Sequence, residues 1–249
     1  GNDPNRGNDP NRGNDPNRGN DPNRGNDPNR GNDPNRPPQR PAYDPTGRTN
    51  AELQGDRNPA PRPGETPAET QARARAAEDE ILRRAPEVMD ALGETPRRVS
   101  LRGEEGNHPD AHTIERHGPD IPLRRADAPG GRTVEGRVFG DPPWGDPQNA
   151  SFRWLNDSVM NRVVNDYLRA NWERIKLDLA TDGRHTGTGD AGNAVGEGFI
   201  NPGQGGLGPR SALYMRTSLF RLTIRISYGP PVGFYIVTAF PNALGAPGH

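Results

Sequence analysis

Large apolar residues are concentrated in the C-terminal half of this sequence, and that distribution limits which part of the chain can form a core. Residues 1–63 hold two of them, Tyr43 and Leu53, whereas Trp, Phe, Ile, Leu and Val are common from Phe139 onward. Only 29% of the 249 residues are hydrophobic, which is too little apolar surface to offset the loss of conformational entropy along the whole length. We therefore expect one globular unit at the C-terminal end, behind a long polar segment.

The polar segment has three parts. Residues 1–36 are six copies of Gly-Asn-Asp-Pro-Asn-Arg, a turn-favouring repeat that could bury nothing if copies stacked, so a disordered spacer is predicted. Residues 37–65 are rich in Pro and Arg and are predicted to be a linker. Residues 66–106 are predicted to form a solvated helix and a connector, because a capping-box pattern at 66–69 precedes a run of Ala, Glu and Arg that Pro86 interrupts.

The remaining residues, 107–249, are predicted to be the globular unit. Apolar spacing of three and four residues indicates a helix, alternation indicates a strand, and glycine or proline marks the ends of elements. These patterns predict, in chain order, a short helix from His108 to Gly118, a strand from Thr133 to Phe139, a long helix from Asp157 to Leu179, a glycine-rich loop over 183–210, and a hairpin of strands 219–228 and 233–240. Helices followed by an antiparallel sheet indicate the α+β class.

Composition excludes several kinds of site. The sequence has no cysteine, which excludes disulfides, thiolate zinc sites, thiol catalysis and the zinc chemistry of nucleobase deaminases. No apolar run approaches the length of a membrane span. Lys176 is the only lysine among 32 basic residues, so we expect arginine to supply the cations of any phosphate site.

Three neighbouring histidines are the first candidates for chemistry. His112 and His117 are five residues apart on the predicted short helix, where their side chains would point about 140° apart. A pair so placed would not act on one atom, so a second acid–base group is expected from elsewhere. His108 and His112 have the four-residue spacing of a helical metal pair, although Pro109 places His108 before the helix. A metal-dependent nuclease that uses these two histidines is one alternative.

The predicted hairpin carries a basic face. Arg221 and Arg225 lie on one face of its first strand, and no Asp or Glu follows Glu197. Phosphate is the natural partner of such a face, which makes both arginines candidates for substrate binding. An ordinary solvated sheet face would show the same pattern.

The second strand of the hairpin places a threonine among apolar residues. Simple alternation puts Thr238 on the same face as Phe234, Ile236 and Phe240, and puts Tyr235 on the opposite face. A hydroxyl in apolar surroundings needs a hydrogen-bond partner. Thr238 is therefore either a satisfied core residue or a residue of the functional site.

Two short motifs together resemble a known family. The first is His112-Thr113 followed by Glu115-Arg116-His117-Gly118, and the second is Val237-Thr238-Ala239-Phe240-Pro241. With a long helix and a glycine-rich stretch between them, these motifs are similar to the bacterial ribonuclease A-like toxin domain over about residues 107–245. That domain ends contact-dependent inhibition proteins and other polymorphic toxins, and a low-complexity lead followed by a compact unit is how such toxins are delivered.

The resemblance implies a disulfide-free ribonuclease A-like fold that cleaves RNA without a metal or another cofactor. The family has a tyrosine where this sequence has Phe240, which lacks a hydroxyl to donate to phosphate and would contact substrate by packing. Carried over onto this sequence, the catalytic residues are His117 with His112 as the other candidate, Arg124 or Arg125, and Thr238.

The implied reaction is transesterification, in which the RNA 2′-hydroxyl attacks the adjacent phosphorus and leaves a 2′,3′-cyclic phosphate. The implied partners are RNA, with tRNA as one candidate, and a cognate immunity protein. The implied setting is a toxin that is secreted or delivered into a target bacterial cell and acts in its cytoplasm. A non-catalytic surface or adhesion module built on the N-terminal repeat is the alternative from another functional class.

Overall fold

The computed structural model describes residues 48–202, 210–229 and 231–243. The repeat predicted to be disordered, 1–36, lies outside the described residues, as does the first part of the predicted linker, 37–47. The described residues belong to one compact unit that combines helices with two antiparallel sheets. The α+β class is therefore confirmed.

The unit contains helices in its first two thirds and strands mainly in its last third. The helices are α1 Asn50–Asp56, α2 Pro67–Leu92, α3 Leu101–Asn107, α4 Thr113–His117, α5 Val134–Phe139, α6 Asp157–Ala170 and α7 Trp172–Asp182, with a 3-10 turn at Arg125–Asp127. The strands are β1 Ala150–Trp154, β2 Arg184–Asp190, β3 Gly196–Ile200, β4 Leu213–Thr217, β5 Leu219–Ser227 and β6 Gly233–Pro241.

The strands form two three-stranded antiparallel sheets, with the orders β1-β3-β4 and β2-β5-β6. β4 passes into β5 through Ser218, so one segment of chain belongs to both sheets. Trp154 of β1 is fully buried and donates from Nε1 to the Ala239 carbonyl of β6 at 2.9 Å, which ties the sheets together. The predicted hairpin of β5 and β6 is confirmed, and the predicted core face of β5 is buried at Leu222 and Ile224.

Helix α2 begins at the predicted capping box but does not stop where expected. The Thr66 hydroxyl accepts from the Glu69 N–H, and the helix continues through Pro86. The proline removes one backbone donor, but Ala85 and Val88 beside it are buried in the main core. Their burial stabilises the last turns, so a helix predicted to be solvated has one buried face.

The described part of the predicted linker, residues 48–65, contains α1. Leu53 is fully buried against Ala77 and Ile81 of α2. The Gln54 side chain donates to the Thr181 carbonyl of α7 at 2.9 Å. Leu53, the one large apolar side chain between residues 48 and 65, thus packs α1 against α2. Residues before the predicted boundary at 107 therefore belong to the same compact unit as those after it.

The strand predicted at Thr133–Phe139 is wrong, because this segment is helix α5. The Thr133 hydroxyl accepts from the Gly136 N–H at 2.9 Å and caps the helix, which ends at Gly140 in the left-handed conformation with φ of 75°. Val134 and Val138, one helical turn apart, are both buried. Capping and turn-spaced burial therefore prevail over the β-propensity of the valines.

The long helix predicted from Asp157 is divided at Asn171, whose φ of −120° interrupts the helical backbone between α6 and α7. The cap of α6 is the Asn156 side chain, which accepts from the Val159 N–H at 2.9 Å, and Asp157 is the first helical residue. The apolar residues spaced three and four apart are buried along both helices, except that Val159 and Tyr167 are only partly buried.

The stretch 183–210 was predicted to be a glycine-rich loop, but its described part forms β2 and β3, and residues 203–209 lie outside the described residues. Four glycines of these two strands, at positions 187, 189, 196 and 198, lie where other atoms approach closely. A Cβ at Gly198 would lie 2.0 Å from the Ser151 carbonyl oxygen, and a Cβ at Gly189 would lie 2.4 Å from the Phe220 ring. Glycine inside a strand often marks such an approach, so the glycines of β2 and β3 reflect close packing.

Candidate functional site

A cavity of about 220 Å³ lies beside the face of β5 and β6 that carries the basic residues of the hairpin. Among the described residues that line it, five are arginines, two are histidines and none is Asp or Glu. The arginines are Arg116, Arg137, Arg184, Arg221 and Arg225, and the other lining residues are His112, His117, Thr223, Val237, Thr238 and Phe240.

A β-bulge in β6 shapes the floor of this cavity. Thr223 of β5 pairs with Thr238, but its neighbour Ile224 pairs with Ile236, so Val237 is an extra residue on β6. A bulge of this kind changes which face the following residues occupy. It is placed between the residues of β6 that pack in the core and those that line the cavity.

The bulge overturns the predicted sharing of one face along β6. Phe234 and Ile236 before the bulge are buried in the core, whereas Thr238 and Phe240 after it line the cavity. Tyr235 pairs directly with Arg225, so it lies on the face of the cavity and not on the opposite one. Its hydroxyl donates to Asp110 at 3.0 Å.

The bulge also fixes the position of His112. The Val237 carbonyl accepts from the His112 N–H at 2.9 Å, and the Thr113 hydroxyl accepts from the Ala239 N–H at 2.9 Å. His112 therefore precedes α4 with φ of −148°, and His117 is the last helical residue. The predicted angle of about 140° assumed that both residues were helical. Because His112 is not, that angle does not apply, and both histidines line one cavity.

Hydrogen bonds fix the orientation of both imidazole rings. Nδ1 of His117 lies 3.0 Å from the Phe152 carbonyl oxygen, and Nδ1 of His112 lies 2.9 Å from the Asp110 carbonyl oxygen. A carbonyl can only accept, so Nδ1 carries the proton in each ring. In the neutral ring, Nε2 is then the nitrogen that can accept a proton. The His117 ring also stacks on Phe240 with centroids 4.8 Å apart.

The five arginines concentrate positive charge at the cavity. Arg184 of β2 pairs directly with Arg225 of β5, and like charges opposite each other destabilise a sheet. Asp110 relieves part of this, since it accepts from Arg225 at 2.9 Å. Burial, and then the charge of Arg116, lowers the pKa of Arg137 to about 10, which leaves it protonated at neutral pH. A bound anion would relieve the repulsion.

Thr238 supplies a hydroxyl that the fold does not use. Its Oγ1 is buried and has no hydrogen-bond partner among the described residues. Buried hydroxyls in native proteins almost always have one. The sequence allowed two interpretations of Thr238, a core residue with a satisfied hydroxyl or a residue of the functional site. The unpaired hydroxyl disagrees with the first interpretation.

The two arginines carried over from the resemblance do not line the cavity. Arg124 lies with its guanidinium 5.7 Å from the centre of the Phe199 ring. Arg125 pairs with Asp141 at 2.6 Å and covers the ring of Phe139. The other carried-over and substrate-binding candidates, namely His112, His117, Thr238, Phe240, Arg221 and Arg225, do line it.

Sequence reasoning missed three arginines of the cavity. Arg116 lies inside the first motif, so its position was a usable signal. Arg184 belongs to β2, which was predicted to be loop, and Arg137 belongs to α5, which was predicted to be a strand. Their placement depended on elements that the local pattern did not predict.

His108 does not line the cavity with the other two histidines, and its ring stacks on Tyr235 with centroids 4.2 Å apart. In the described ranges, no three His, Cys, Asp or Glu residues are grouped so that they could hold a metal ion.

No helix in the described part of the chain has the length and apolar character needed to cross a membrane.

Comparisons with known proteins complete the description of the site. No family model matches this chain, and no curated protein or solved structure matches it. Its cavity and its motifs are therefore the basis for any functional assignment.

Proposed function

We propose that this chain is an RNA-cleaving toxin similar to the bacterial ribonuclease A-like toxin domain, with its active site at the cavity of about 220 Å³. The observation that carries the proposal is the meeting of two histidines with five arginines in a cavity that no described carboxylate lines. Such a lining fits a phosphodiester, which needs proton transfer on both sides of phosphorus and neutralisation of charge.

His112 and His117 divide the two proton transfers. One Nε2 takes the proton of the RNA 2′-hydroxyl, which attacks phosphorus, and the other gives a proton to the departing 5′-oxygen. The bond from phosphorus to that oxygen breaks, and a 2′,3′-cyclic phosphate and a 5′-hydroxyl result. Histidine suits both roles because its ordinary pKa lies near neutrality. Their anchored Nδ1 atoms keep the rings oriented for this exchange.

The strand residues stabilise the charge that develops on phosphorus. The guanidinium groups of Arg184, Arg221 and Arg225 are donors to the non-bridging oxygens, because arginine pairs with phosphate through two parallel hydrogen bonds. The Thr238 hydroxyl, which is buried and has no partner among the described residues, becomes a neutral donor to the same oxygens when its side chain turns toward the substrate. Phe240 has no donor, and its ring packs against His117 and presents an apolar edge to the substrate.

In this proposal the chain acts on RNA, with tRNA as one candidate, in the cytoplasm of a target bacterial cell into which it is delivered. A cognate immunity protein protects the producing cell. Because all the proposed site residues lie beyond residue 107, the N-terminal repeat has no part in the chemistry.

The full chain should be incubated with total RNA, with and without EDTA, and the fragment ends analysed. We expect cleavage that survives EDTA and leaves 2′,3′-cyclic phosphate. His117→Ala should reduce the rate by about 10² or more. Cleavage of DNA, or loss of cleavage with EDTA, would instead support the metal-dependent nuclease.

A matched pair of arginine variants tests the position of the site. Arg221→Ala removes a cation from the cavity, whereas Arg124→Ala removes one outside it. The cavity predicts that only Arg221→Ala lowers the cleavage rate. A loss confined to Arg124→Ala or Arg125→Ala would favour the arginine carried over from the family.

A further inference from the structure

A second cavity, of about 550 Å³, lies between α6 and the strands β2 and β5. None of its lining residues also lines the cavity of about 220 Å³ beside β5 and β6. Val163, Ala170 and Phe220 supply apolar walls, and Tyr167 lines it with a polar tip. Nothing in the proposed RNA cleavage uses these residues.

A chain of three hydrogen-bonded side chains ends at this cavity. His185 is 2% exposed, and its Nδ1 lies 2.7 Å from a carboxylate oxygen of Asp178. Its Nε2 lies 3.0 Å from the Tyr167 hydroxyl. The carboxylate only accepts, so Nδ1 donates to Asp178, and a ring with one proton accepts from Tyr167 at Nε2. In that arrangement the Tyr167 proton points to His185, and Oη presents lone pairs to the cavity.

The contact between tyrosine and histidine depends on the absence of a side chain at Gly187. A Cβ there would lie 1.8 Å from the Tyr167 hydroxyl oxygen and 2.9 Å from Nε2 of His185. The backbone of β2 therefore approaches the pair as only glycine allows. This explains a glycine inside the strand and fixes the position of Oη.

This second cavity carries charges of both signs. Asp166 and Asp190 line it together with Arg162, and Asp166 also forms an ion pair with Arg169. The Ser218 hydroxyl and the Gly192 N–H hold the pKa of Asp190 below its usual range, so it is a carboxylate at neutral pH. Tyr167 Oη and two carboxylates make the cavity rich in acceptors.

We propose that this second cavity is a binding site for a small organic cation that joins an apolar ring to an ammonium group. The ring packs against Val163 and Phe220, and the ammonium donates to Tyr167 Oη and to the carboxylates. Neutral analogues lose the attraction to the carboxylates, and anionic analogues are repelled by them. The proposal is independent of RNA cleavage.

The test uses three probes of one shape, benzylamine, benzyl alcohol and benzoate, titrated into the isotope-labelled full chain and followed by NMR. Benzylamine should give saturable shifts at Gly189, Ala191 and Phe220. Benzyl alcohol should bind at least about ten-fold more weakly, because hydrogen bonds to a charged group are the stronger ones. Equal affinity for the amine and the alcohol, or no shifts at these residues, would overturn the proposal.

Tyr167→Phe removes the acceptor and nearly preserves the shape, and it should weaken benzylamine binding about ten-fold or more. Tyr228→Phe is the matched control, since Tyr228 does not line the cavity, and its affinity should be unchanged. The ring ¹⁵N shifts of His185 give a readout in the unaltered chain, and they should move on benzylamine binding. Unchanged affinity in Tyr167→Phe, or unmoved His185 shifts at saturation, would refute the role of Oη.

Discussion

Thr238→Val separates stability from catalysis, because the fold does not use the Thr238 hydroxyl. The substitution replaces the hydroxyl by a methyl group of similar size. A buried hydroxyl without a partner costs about 1–3 kcal/mol, and Oγ1 of Thr238 has none among the described residues. Thr238→Val should therefore stabilise the free protein by about 1 kcal/mol, which raises Tm by about 2–4 °C for a chain of this size.

The same change should slow RNA cleavage. If the hydroxyl donates to phosphate oxygens more strongly in the transition state, its loss costs about 1.5–3 kcal/mol, or about ten- to hundred-fold in rate. Melting curves and single-turnover kinetics on one RNA substrate would measure both effects. Higher stability with lower activity in one variant is a combination that a core residue would not give.

Thr217→Val is the matched control. Thr217 is also buried, but its hydroxyl donates to the Asn242 carbonyl at 2.5 Å and accepts from the Leu219 N–H at 3.0 Å. Its loss should lower Tm and leave cleavage unchanged at a temperature where the variant is folded. The reasoning is refuted if Thr238→Val is destabilised like Thr217→Val, or if it is stabilised without any loss of rate.

Three further predictions concern other parts of the molecule. Phe240→Tyr restores the hydroxyl of the family and should leave cleavage unchanged or faster, whereas a slower and less stable variant would place the ring wholly in the core. Leu53→Ala should lower the free energy of unfolding by about 2–5 kcal/mol, because Leu53 is fully buried, and denaturant unfolding that matches the unaltered chain would contradict the docking of α1. Hydrogen bonds from Arg73 lower the pKa of Glu65 to about 2, below the unfolded value. The stabilising contribution of this carboxylate is therefore complete above about pH 4.5 and is lost as pH falls toward 2. NMR titration of the Glu65 carboxyl should find a midpoint near 2, and a midpoint near 4.5 would contradict the contact with Arg73.

Elements with strong local signals could be predicted from the sequence. In β5, apolar Leu222 alternates with polar Arg221 and Thr223, and such alternation is typical of a strand with one buried face. α2 begins at a capping box, which is a signal contained within four residues. Segment 133–139 shows the limit of such reasoning. Val134 and Val138 favour a strand locally, and their burial against Phe199, which is 65 and 61 residues away in sequence, depends on the tertiary structure.

The site was harder to predict than the fold. The two motifs identified both histidines and Thr238, but their meeting depends on the bulge at Val237, which adds one residue without any mark in the sequence. Arg184 joins the site only because β2 pairs with β5. A glycine-rich segment gives no periodicity from which that pairing could be predicted.

The central claim is that His112 and His117 act together as acid and base in one cavity. The most direct test is the pH dependence of cleavage of a defined RNA oligonucleotide by the full chain, by His112→Ala and by His117→Ala. The account predicts a bell-shaped profile for the unaltered chain, since one histidine must be neutral and the other charged. Each variant should be slower by about 10² or more and should lose a different limb of the bell. A full rate in either variant, or both limbs kept in each, would contradict the pairing of these two histidines.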